Sequence, residues 1–488
     1  MSRFSLRKVG LLALTLLLLL SPTLAQAAET SGVKASNPVV SIEAGWNTQF
    51  LVYSDGLVAA WGANKDGQLG DGTLYEQYLP KWISLAQVKQ VASSDGASYA
   101  LLQDGTVWRL GTYIDSVKHV LVNESPTMIE GLSNISSISA GAGLLIALKN
   151  DGTVWTLGND VQGAKRDSQY LPAVVQVSGL QNITAVSAGG YHMMALGRDG
   201  KVWTWGYNYY GAIGNGTKNT QFEPYLVKGI GKAKSIAAGN YDSSVLLEDG
   251  SVWNWGKSAG LADIRKSPAR LNAFKNTVAI SDGGQLLALQ SDGTVSTVDG
   301  KVAGLSHVVR MDAGYTMNLA QSKDGTIYSW GYGGYPGDGT TNAVDLKLSK
   351  VKMPLSFTVN GAPAHVKLSP MYRDGLLYIS RSELWQSLGV KVELSYSKPD
   401  PAKHNAVYGM WTFSKGDRLI AYSERDQKYR IGDQIFADAP QPFFAFGNYS
   451  NTTLFPLRYL CEKLGIAVAF DAATNTVKLN ETKAQLNG

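Results

Sequence analysis

Cysteine is almost absent from this sequence. Cys461 is the single cysteine in 488 residues, so no intramolecular disulfide is possible. A small scaffold held together by disulfides is therefore excluded, and the chain must depend on its hydrophobic core. Cys461 lies in an apolar helical pattern with Leu457, Leu460 and Leu464. We interpret it as a small buried residue rather than a nucleophile.

Histidine is also scarce, and the motifs of metal and hydrolytic sites are missing. The sequence has five histidines with no His-x-His pair and no local cluster: His119, His192, His307, His365 and His404. It contains no Gly-x-Ser-x-Gly elbow, no His-Glu-x-x-His motif and no EF-hand loop. We expect no catalytic residue, no bound metal and no cofactor.

Long apolar runs and basic clusters are lacking as well. The longest apolar run, Val9 to Leu20, falls short of the ~20 residues that span a bilayer. It follows a basic start and precedes Pro22 and the small-residue site Ala25-Gln26-Ala27. This pattern predicts a signal peptide at 1–27, in preference to a retained anchor, and a linker at 28–38.

The predicted signal peptide takes three basic residues with it and leaves a nearly neutral mature chain. The formal charge falls from +5 to +2. No run of Lys and Arg is interleaved with aromatic residues. The charge argues against a nucleic-acid partner, and we expect an exported monomer with no membrane insertion after signal removal.

Glycine, in contrast, is abundant, and it marks a repeat. Among the 53 glycines, seven follow an aspartate and precede an alternating stretch such as Val202-Trp203-Thr204-Trp205. The spacing between successive Asp-Gly pairs is 49, 47, 48, 50, 43 and 32 residues. An Asp-Gly pair suits the two central positions of a hairpin turn, and a hairpin at this period is typical of a propeller or array. The seven aspartates are Asp55, Asp104, Asp151, Asp199, Asp249, Asp292 and Asp324.

Each repeat unit is predicted to be strand, hairpin, strand and outer edge strand. A small residue stands ten positions before the aspartate, usually glycine, with Ser94 and Asp282 replacing it in the second and sixth units. Three units carry a Gly-rich loop after the second strand of the hairpin, at 67–73, 211–217 and 334–340. Because no Lys-Ser/Thr ending or helix follows, we interpret these loops as structural rather than as phosphate cradles. The seven aspartates are spread one per unit, so they are predicted to form turns, not an acid–base pair.

The run from Gly189 to Gly206 completes the pattern Gly-x-x-His-x-x-Ala-Leu-x-x-Asp-Gly-x-Val-Trp-x-Trp-Gly. This pattern resembles the RCC1 repeat, named for the regulator of chromosome condensation. The resemblance implies a seven-bladed β-propeller over 39–355. The sixth unit departs from it, with Ser296, Val298 and Asp299 in place of Trp, Trp and Gly, and is predicted to be trimmed. His192 stands alone at the family's histidine position, and we interpret it as a packed residue.

Residues 357–480 lack the repeat and are predicted to form a small α/β domain. Two matched stretches, 384–392 and 460–468, each predict a short helix that ends at a glycine and leads into a strand. With Leu454-Phe455-Pro456-Leu457-Arg458 and Phe470-Asp471, this duplicated strand–helix–strand unit resembles the copper amine oxidase N-terminal-like, or stalk, domain. The resemblance implies an attachment or spacer module of Gram-positive bacteria, without the copper enzyme's histidines. Residues 481–488 are a tail.

The fold class is therefore predicted to be mainly β, a propeller followed by a small stalk domain. The founding member of the RCC1 family acts on an intracellular GTPase, so its activity is not carried over to an exported chain. We expect non-catalytic binding at the cell surface or in the medium, with an extracellular protein or a cell-wall glycan as partner. A secreted inhibitor of an extracellular enzyme is the alternative, and a polysaccharide-active enzyme is less favoured. Because tyrosine provides large contact area at small entropic cost, the candidate binding residues are Tyr207, Tyr209, Tyr210, Tyr332 and Tyr335.

Overall fold

The computed structural model describes residues 37–111, 125–158, 174–340, 347–364, 366, 370–373, 375–380, 383–398, 407–445 and 452–481. The predicted signal peptide, residues 28–36 of the linker and residues 482–488 of the tail lie outside this range. The fold is mainly β. No helix in the described part of the chain is long and apolar enough to cross a bilayer.

Within the described residues, the first 28 strands form seven sheets of four consecutive strands. The first four sheets contain β1 (Val39–Ala44), β2 (Thr48–Tyr53), β3 (Val58–Gly62), β4 (Gln77–Trp82); β5 (Val88–Ser93), β6 (Ala97–Leu102), β7 (Val107–Gly111), β8 (Thr127–Met128); β9 (Ile135–Gly141), β10 (Leu144–Lys149), β11 (Val154–Gly158), β12 (Val175–Gln176); β13 (Ile183–Ala188), β14 (His192–Gly197), β15 (Val202–Gly206) and β16 (Gln221–Leu226). The next three contain β17 (Ala233–Ala238), β18 (Asp242–Leu247), β19 (Val252–Gly256), β20 (Arg265–Leu271); β21 (Thr277–Ser281), β22 (Leu287–Gln290), β23 (Val295–Thr297), β24 (Gly300–Lys301); β25 (Val308–Ala313), β26 (Met317–Ser322), β27 (Ile327–Gly331) and β28 (Ser349–Lys350).

The innermost strands of these sheets contact one another in cyclic order. The contacts run from β1 to β5, β9, β13, β17, β21 and β25, and β25 in turn contacts β1. The ring closes without a shared sheet, since the Asp312 carboxylate accepts the Ala44 N–H at 2.7 Å. Apolar side chains of neighbouring sheets form the cores between them, for example Met194 with Trp255.

The Asp-Gly pairs lie in the turns between the second and third strands, as predicted, but one position later than expected. In the first turn, the Gly56 N–H donates to Tyr53 O at 2.9 Å, so Asp55 is the third residue of the turn and Gly56 the fourth. Positive φ falls on the glycine alone (φ +82). This is a type I turn followed by a bulge, a three-residue hairpin loop. The aspartate caps the turn: in the second unit, Asp104 Oδ1 accepts the Thr106 N–H at 2.9 Å.

The sixth sheet is trimmed, as predicted, and its inner loop is one residue longer. Its outer strands β23 and β24 have three and two residues. The registers Ala188↔Met193 and Ser281↔Leu287 show the extra residue. Gly283, not the position of Asp282, makes the close approach to the next sheet, because a Cβ on Gly283 would lie 2.3 Å from Ala313 O.

From Ser356 onward, the described residues form three other sheets and two short helices around a separate core. Their bounds are β29 (Ser356–Val359), β30 (Ala362–Ala364), β31 (Met371–Arg373), β32 (Leu376–Ser380), α1 (Glu383–Ser387), β33 (Lys391–Tyr396), β34 (Gly409–Lys415), β35 (Arg418–Ser423), β36 (Lys428–Ile431), β37 (Gln434–Phe436), β38 (Phe443–Ala445), β39 (Thr452–Pro456), α2 (Leu457–Lys463), β40 (Ile466–Asp471) and β41 (Thr476–Glu481).

Both predicted helices are present in this C-terminal unit, and each is followed by a glycine with positive φ, Gly389 and Gly465. The unit is more strand-rich than predicted, because the region between the helices forms the antiparallel sheet β33 to β37. Cys461 is fully buried on α2, as expected, and burial raises the pKa of its thiol to about 12.

Candidate functional site

Three of the five predicted tyrosines meet in one open pocket of about 470 Å³. The pocket lies between the loops of the fourth and fifth sheets. Eight residues line it: Tyr191, His192, Tyr207, Tyr209, Tyr210, Ala212, Asn240 and Tyr241. We refer to it as the tyrosine pocket. Tyr191 and Tyr241, which complete it, were not predicted.

The tyrosines of the pocket are arranged as two stacked pairs. The rings of Tyr191 and Tyr241 are 5.5 Å apart and within 6° of parallel. The rings of Tyr207 and Tyr209 are 5.8 Å apart, at 15°. Tyr210 tilts against Tyr241 with centroids 4.6 Å apart. Tyr209 is 67% exposed and Tyr191 41% exposed, so each pair presents an aromatic ring to solvent.

A buried asparagine holds the loop that carries three of these tyrosines. Asn208 Oδ1 accepts the Ile213 N–H at 2.9 Å, and its Nδ2 donates to Asn219 O at 3.0 Å. Its side chain is fully buried. Because Asn208 points inward, its neighbours Tyr207 and Tyr209 are free to face the pocket.

The floor of the pocket is a chain of hydrogen bonds that joins three segments. The Ser243 hydroxyl donates to Ala212 O at 2.8 Å, and Trp255 Nε1 donates to the same oxygen at 2.7 Å. His192 Nε2 lies 2.8 Å from Ser243 Oγ. Since the single proton of the Ser243 hydroxyl goes to Ala212, Nε2 of His192 is the donor.

His192 is therefore part of the floor, in agreement with the prediction that it packs within its blade. It is 1% exposed. Burial lowers the pKa of its imidazole to about 4. The ring is neutral near pH 7 because desolvation disfavours its charged form.

The close approach of two loops explains the glycine that follows the tryptophans. The Tyr207 N–H donates to Tyr191 O at 3.0 Å, linking the two sides of the pocket. A Cβ on Gly206 (φ +115) would lie 2.8 Å from that carbonyl oxygen. Only glycine fits this position without moving the tyrosine loops apart.

The first unit has the same loop framework with different side chains at the pocket positions. Asn64 takes the place of Asn208, and its Oδ1 accepts the Leu69 N–H at 2.9 Å. Lys65 and Asp66 stand where the fourth unit has Tyr209 and Tyr210. The framework therefore forms without the tyrosines, which marks them as features of the surface rather than of the fold.

The other two predicted tyrosines lie elsewhere. Tyr332 follows β27 in the seventh sheet and is 66% exposed, with its N–H donating to Thr316 O. Tyr315, which directly precedes Thr316 in the chain, stacks on Trp46 with ring centroids 4.4 Å apart. Tyr335 is half-buried and packs against Tyr78 at 5.5 Å, near the C-terminal unit.

Four buried carboxylic acids lie at or beside the central axis, a cluster that was not predicted from the sequence. Glu43, Asp282 and Asp312 line an axial cavity of about 180 Å³, and Asp242 packs beside Asp282. Burial, and then the neighbouring Asp312 carboxylate, raises the pKa of Glu43. Burial raises the pKa of Asp242 to about 6. The cluster depends on which face of each inner strand is turned toward the axis. The alternation of apolar and polar residues alone does not show this.

Chemically, the tyrosine pocket offers contact area without carboxylates or cationic side chains in its lining. Among its eight lining residues there is no carboxylate, lysine or arginine. Lys257 lies at its edge, with Nζ 5.2 Å from the centre of the Tyr210 ring. In the described part of the chain, no group of three or more His, Cys, Asp or Glu residues is placed to hold a metal ion.

Comparison with known families identifies repeats at the positions that build this site. The Regulator of chromosome condensation (RCC1) repeat matches residues 55–101 and 199–246, and a second profile of the same description matches 183–212. The chain thus contains RCC1 repeats, in agreement with the resemblance noted in the sequence. No curated protein sequence shows significant similarity to the chain.

Solved structures similar to the chain include RCC1-like propellers. Prp20p from Saccharomyces cerevisiae has 21% identity and a TM-score of 0.44, covering 64% of this chain and 77% of its own. Human WBSCR16 has 20% identity and a TM-score of 0.46, covering 69% and 86%. The CRINKLY WD40 ectodomain of the Arabidopsis thaliana receptor kinase ACR4 has 18% identity and a TM-score of 0.43, covering 65% and 100%.

Proposed function

We propose that this protein is an exported, non-catalytic recognition protein that binds its partner through the tyrosine pocket. The observation that carries the proposal is the set of five tyrosines on one end of the ring, held by a rigid floor. Aromatic residues at loop ends provide contact area at low entropic cost. The pocket also has the concave shape and the volume range of ligand sites in proteins, about 300–1,000 Å³.

The absence of carboxylates from the pocket lining supports binding rather than hydrolysis. General acid–base catalysis needs a titratable group within hydrogen-bond reach of the reacting atom. The one imidazole of the lining, His192, is buried in the floor and already donates to Ser243. The phenols and amide that remain are suited to contacts, not to proton transfer near neutral pH.

The finer architecture is part of the same proposal. The cyclic contacts of seven four-stranded sheets support a seven-bladed propeller. The two short helices, each leading into a strand after a glycine, support a C-terminal stalk domain of the copper amine oxidase N-terminal-like type. In this proposal, the stalk domain attaches the propeller to the cell wall of a Gram-positive bacterium.

Co-sedimentation with purified bacterial cell walls tests both parts. We expect the mature chain to pellet with the walls. The double variant Tyr209→Ala/Tyr191→Ala should reduce the binding of the propeller to its partner. Met128→Ala is the control, because Met128 is 48% exposed on β8, outside both the tyrosine pocket and the C-terminal unit. If the chain stays in the supernatant, the proposed attachment to the cell wall is wrong. If the tyrosine variants bind every partner as the wild type does, the pocket is not the binding site.

A further inference from the structure

We propose that the tyrosine pocket recognises an uncharged saccharide of at least two pyranose units, one on each stacked tyrosine pair. This inference deepens the proposed function and rests on it. It names the ligand class that the shape and electrostatics of the pocket favour over a charged ligand or a protein loop.

Electrostatics exclude charged ligand groups from the interior of the pocket. The lining offers no carboxylate to pair with a cation and no lysine or arginine to pair with an anion. His192 is neutral near pH 7. A charged group that leaves water for this pocket would lose its hydration without gaining a counter-ion.

The position of Lys257 argues specifically against an ammonium ligand. Its Nζ already lies over the Tyr210 ring, at 5.2 Å from the centroid. A ring of tyrosines without such a neighbour is a common way to bind a quaternary ammonium group. Here a second cation would be repelled by the first, whereas a sugar hydroxyl would find in Lys257 a hydrogen-bond donor.

Each of the two stacked pairs can hold one sugar ring. A pyranose ring has apolar C–H faces and hydroxyl groups round its edge, so it packs on an aromatic face and donates or accepts at the rim. Tyr209 and Tyr191 expose 67% and 41% of their surface, one from each pair. Tyrosine combines such an apolar face with a polar tip.

The rigidity of the site favours a small ring ligand over a protein loop. The hydrogen bonds of Asn208, Ser243 and Trp255 fix the loop and the floor before any ligand arrives. A pre-organised concave site loses little entropy when a small ligand binds. A stable protein–protein interface would need about 800 Å² on each partner, far beyond one pocket of this size.

The sequence itself supplies a test variant that keeps the loop framework. The double substitution Tyr209→Lys and Tyr210→Asp copies Lys65 and Asp66 of the first unit, whose loop keeps the same buried asparagine contacts. This exchange removes the exposed face of Tyr209 and the Tyr210 ring that packs against Tyr241, and it introduces charge. It therefore abolishes saccharide binding while the propeller stays folded. Tyr396→Ala serves as the control for saccharide binding, because Tyr396 is 68% exposed but lies in the C-terminal unit.

The experiment is isothermal titration of the mature chain with three neutral oligosaccharides: tetra-N-acetylchitotetraose, cellotetraose and maltotetraose. Binding of at least one is expected. Tyr209→Ala should weaken it about tenfold, the equivalent of one lost aromatic contact. The exchange variant should abolish binding, with an unchanged thermal midpoint, and Tyr396→Ala should bind as the wild type. Choline chloride and oligogalacturonate, titrated in parallel, are expected not to bind.

Three results overturn the saccharide assignment, and they separate it from the recognition function. If none of the three saccharides binds, while a purified extracellular protein is retained in a Tyr209-dependent manner, the pocket recognises protein and only the ligand class is wrong. If no partner of any kind depends on Tyr209 or Tyr191, the recognition function of the pocket fails as well. Binding of choline in place of sugars would also overturn the assignment.

Discussion

His192 and Ser243 belong to neighbouring sheets, and their side chains meet at 2.8 Å beneath the tyrosine pocket. Ser243 passes the contact on to Ala212 O, on the loop that carries Tyr207, Tyr209 and Tyr210. The pocket floor is thus shared by two repeats, 51 residues apart in sequence. Its integrity depends on one hydroxyl group that both accepts and donates.

The substitution Ser243→Ala should destabilise the protein and loosen the pocket. It leaves the His192 Nε2–H without an acceptor in a buried site, and a buried donor without a partner costs about 1–3 kcal/mol. Urea unfolding measures the loss. Ser395→Ala, at an exposed serine of the C-terminal unit, should change the free energy of unfolding by less than about 0.5 kcal/mol. Equal stability of the two variants would contradict the role given to Ser243.

Protonation of His192 should make the folded state sensitive to acid. Its folded pKa is lowered to about 4 by burial, whereas an unfolded histidine titrates near 6.5. Between these values the unfolded state binds more protons, so this contribution to stability is present above pH 6.5 and is lost as the pH falls through 4. His192→Gln should remove this part of the pH dependence, although it lowers stability overall. Urea midpoints of the wild type and of His192→Gln, measured at pH 4.5, 5.5 and 7.0, test this difference. If the midpoints of both proteins change in parallel with pH, the prediction is wrong.

The period of the Asp-Gly pairs and the alternation after them were sufficient to predict the repeated strands and hairpins, since both are local signals. The turn register was predicted one residue early, because Asp-Gly also suits a type I turn with a bulge, and only the hydrogen bond from Gly56 to Tyr53 distinguishes the two. The prediction that Asp282 replaces the repeat's glycine in the sixth unit was wrong for a related reason. Strand register, which shows Asp282 to be the insertion, is a long-range property.

The candidate site was also predicted only in part, because a sequence shows local signals and not contacts between neighbouring sheets. Tyr207, Tyr209 and Tyr210 are adjacent in sequence, so a loop of aromatic residues was visible. Tyr191 and Tyr241 stand one in each of two units, and their stacking needs the packing of neighbouring sheets. A signal did exist: both directly precede the first residue of the second strand of their sheets, His192 and Asp242.

The C-terminal unit should be fixed to the ring rather than connected by a mobile linker. Met371, Tyr378 and Leu454 form a buried cluster with Tyr78 of the first sheet. The Tyr372 N–H also donates to Gly339 O at 2.8 Å. Met371→Ala should therefore lower the free energy of unfolding by about 2–5 kcal/mol, the usual cost of emptying a buried methionine site.

Calorimetry of the whole chain checks this docking. The wild type should unfold in one transition, and Met371→Ala should lower its midpoint or separate it into two. Met128→Ala is the control, since Met128 is 48% exposed on β8. Two independent transitions in the wild type would show that the C-terminal unit does not depend on the ring.

The acid pair Asp242 and Asp282 should destabilise the ring as the pH rises, opposite to the effect of His192. Burial, and then the neighbouring Asp242 carboxylate, raises the pKa of Asp282. Burial raises the pKa of Asp242 to about 6. Unfolded aspartates titrate near 3.9, so between about pH 4 and pH 6 the folded state binds more protons. The stability that comes from protonation of this acid pair is present at pH 4 and is lost as the pH rises through 6.

Asp282→Asn should relieve this repulsion, because the amide carries no charge and can still accept from the Ser244 hydroxyl, which now donates to Asp282 Oδ2 at 2.8 Å. At pH 8 the variant should be more stable than the wild type, because it removes one of two neighbouring buried charges. At pH 4.5 the difference should shrink, since the wild-type pair then holds its proton. Asp292→Asn, at an exposed turn aspartate whose pKa is lowered by the Thr294 hydroxyl, should give no stabilisation at pH 8. Urea unfolding at the two pH values decides the matter: a variant that is less stable than the wild type at pH 8 would contradict the repulsion assigned to the two carboxylates.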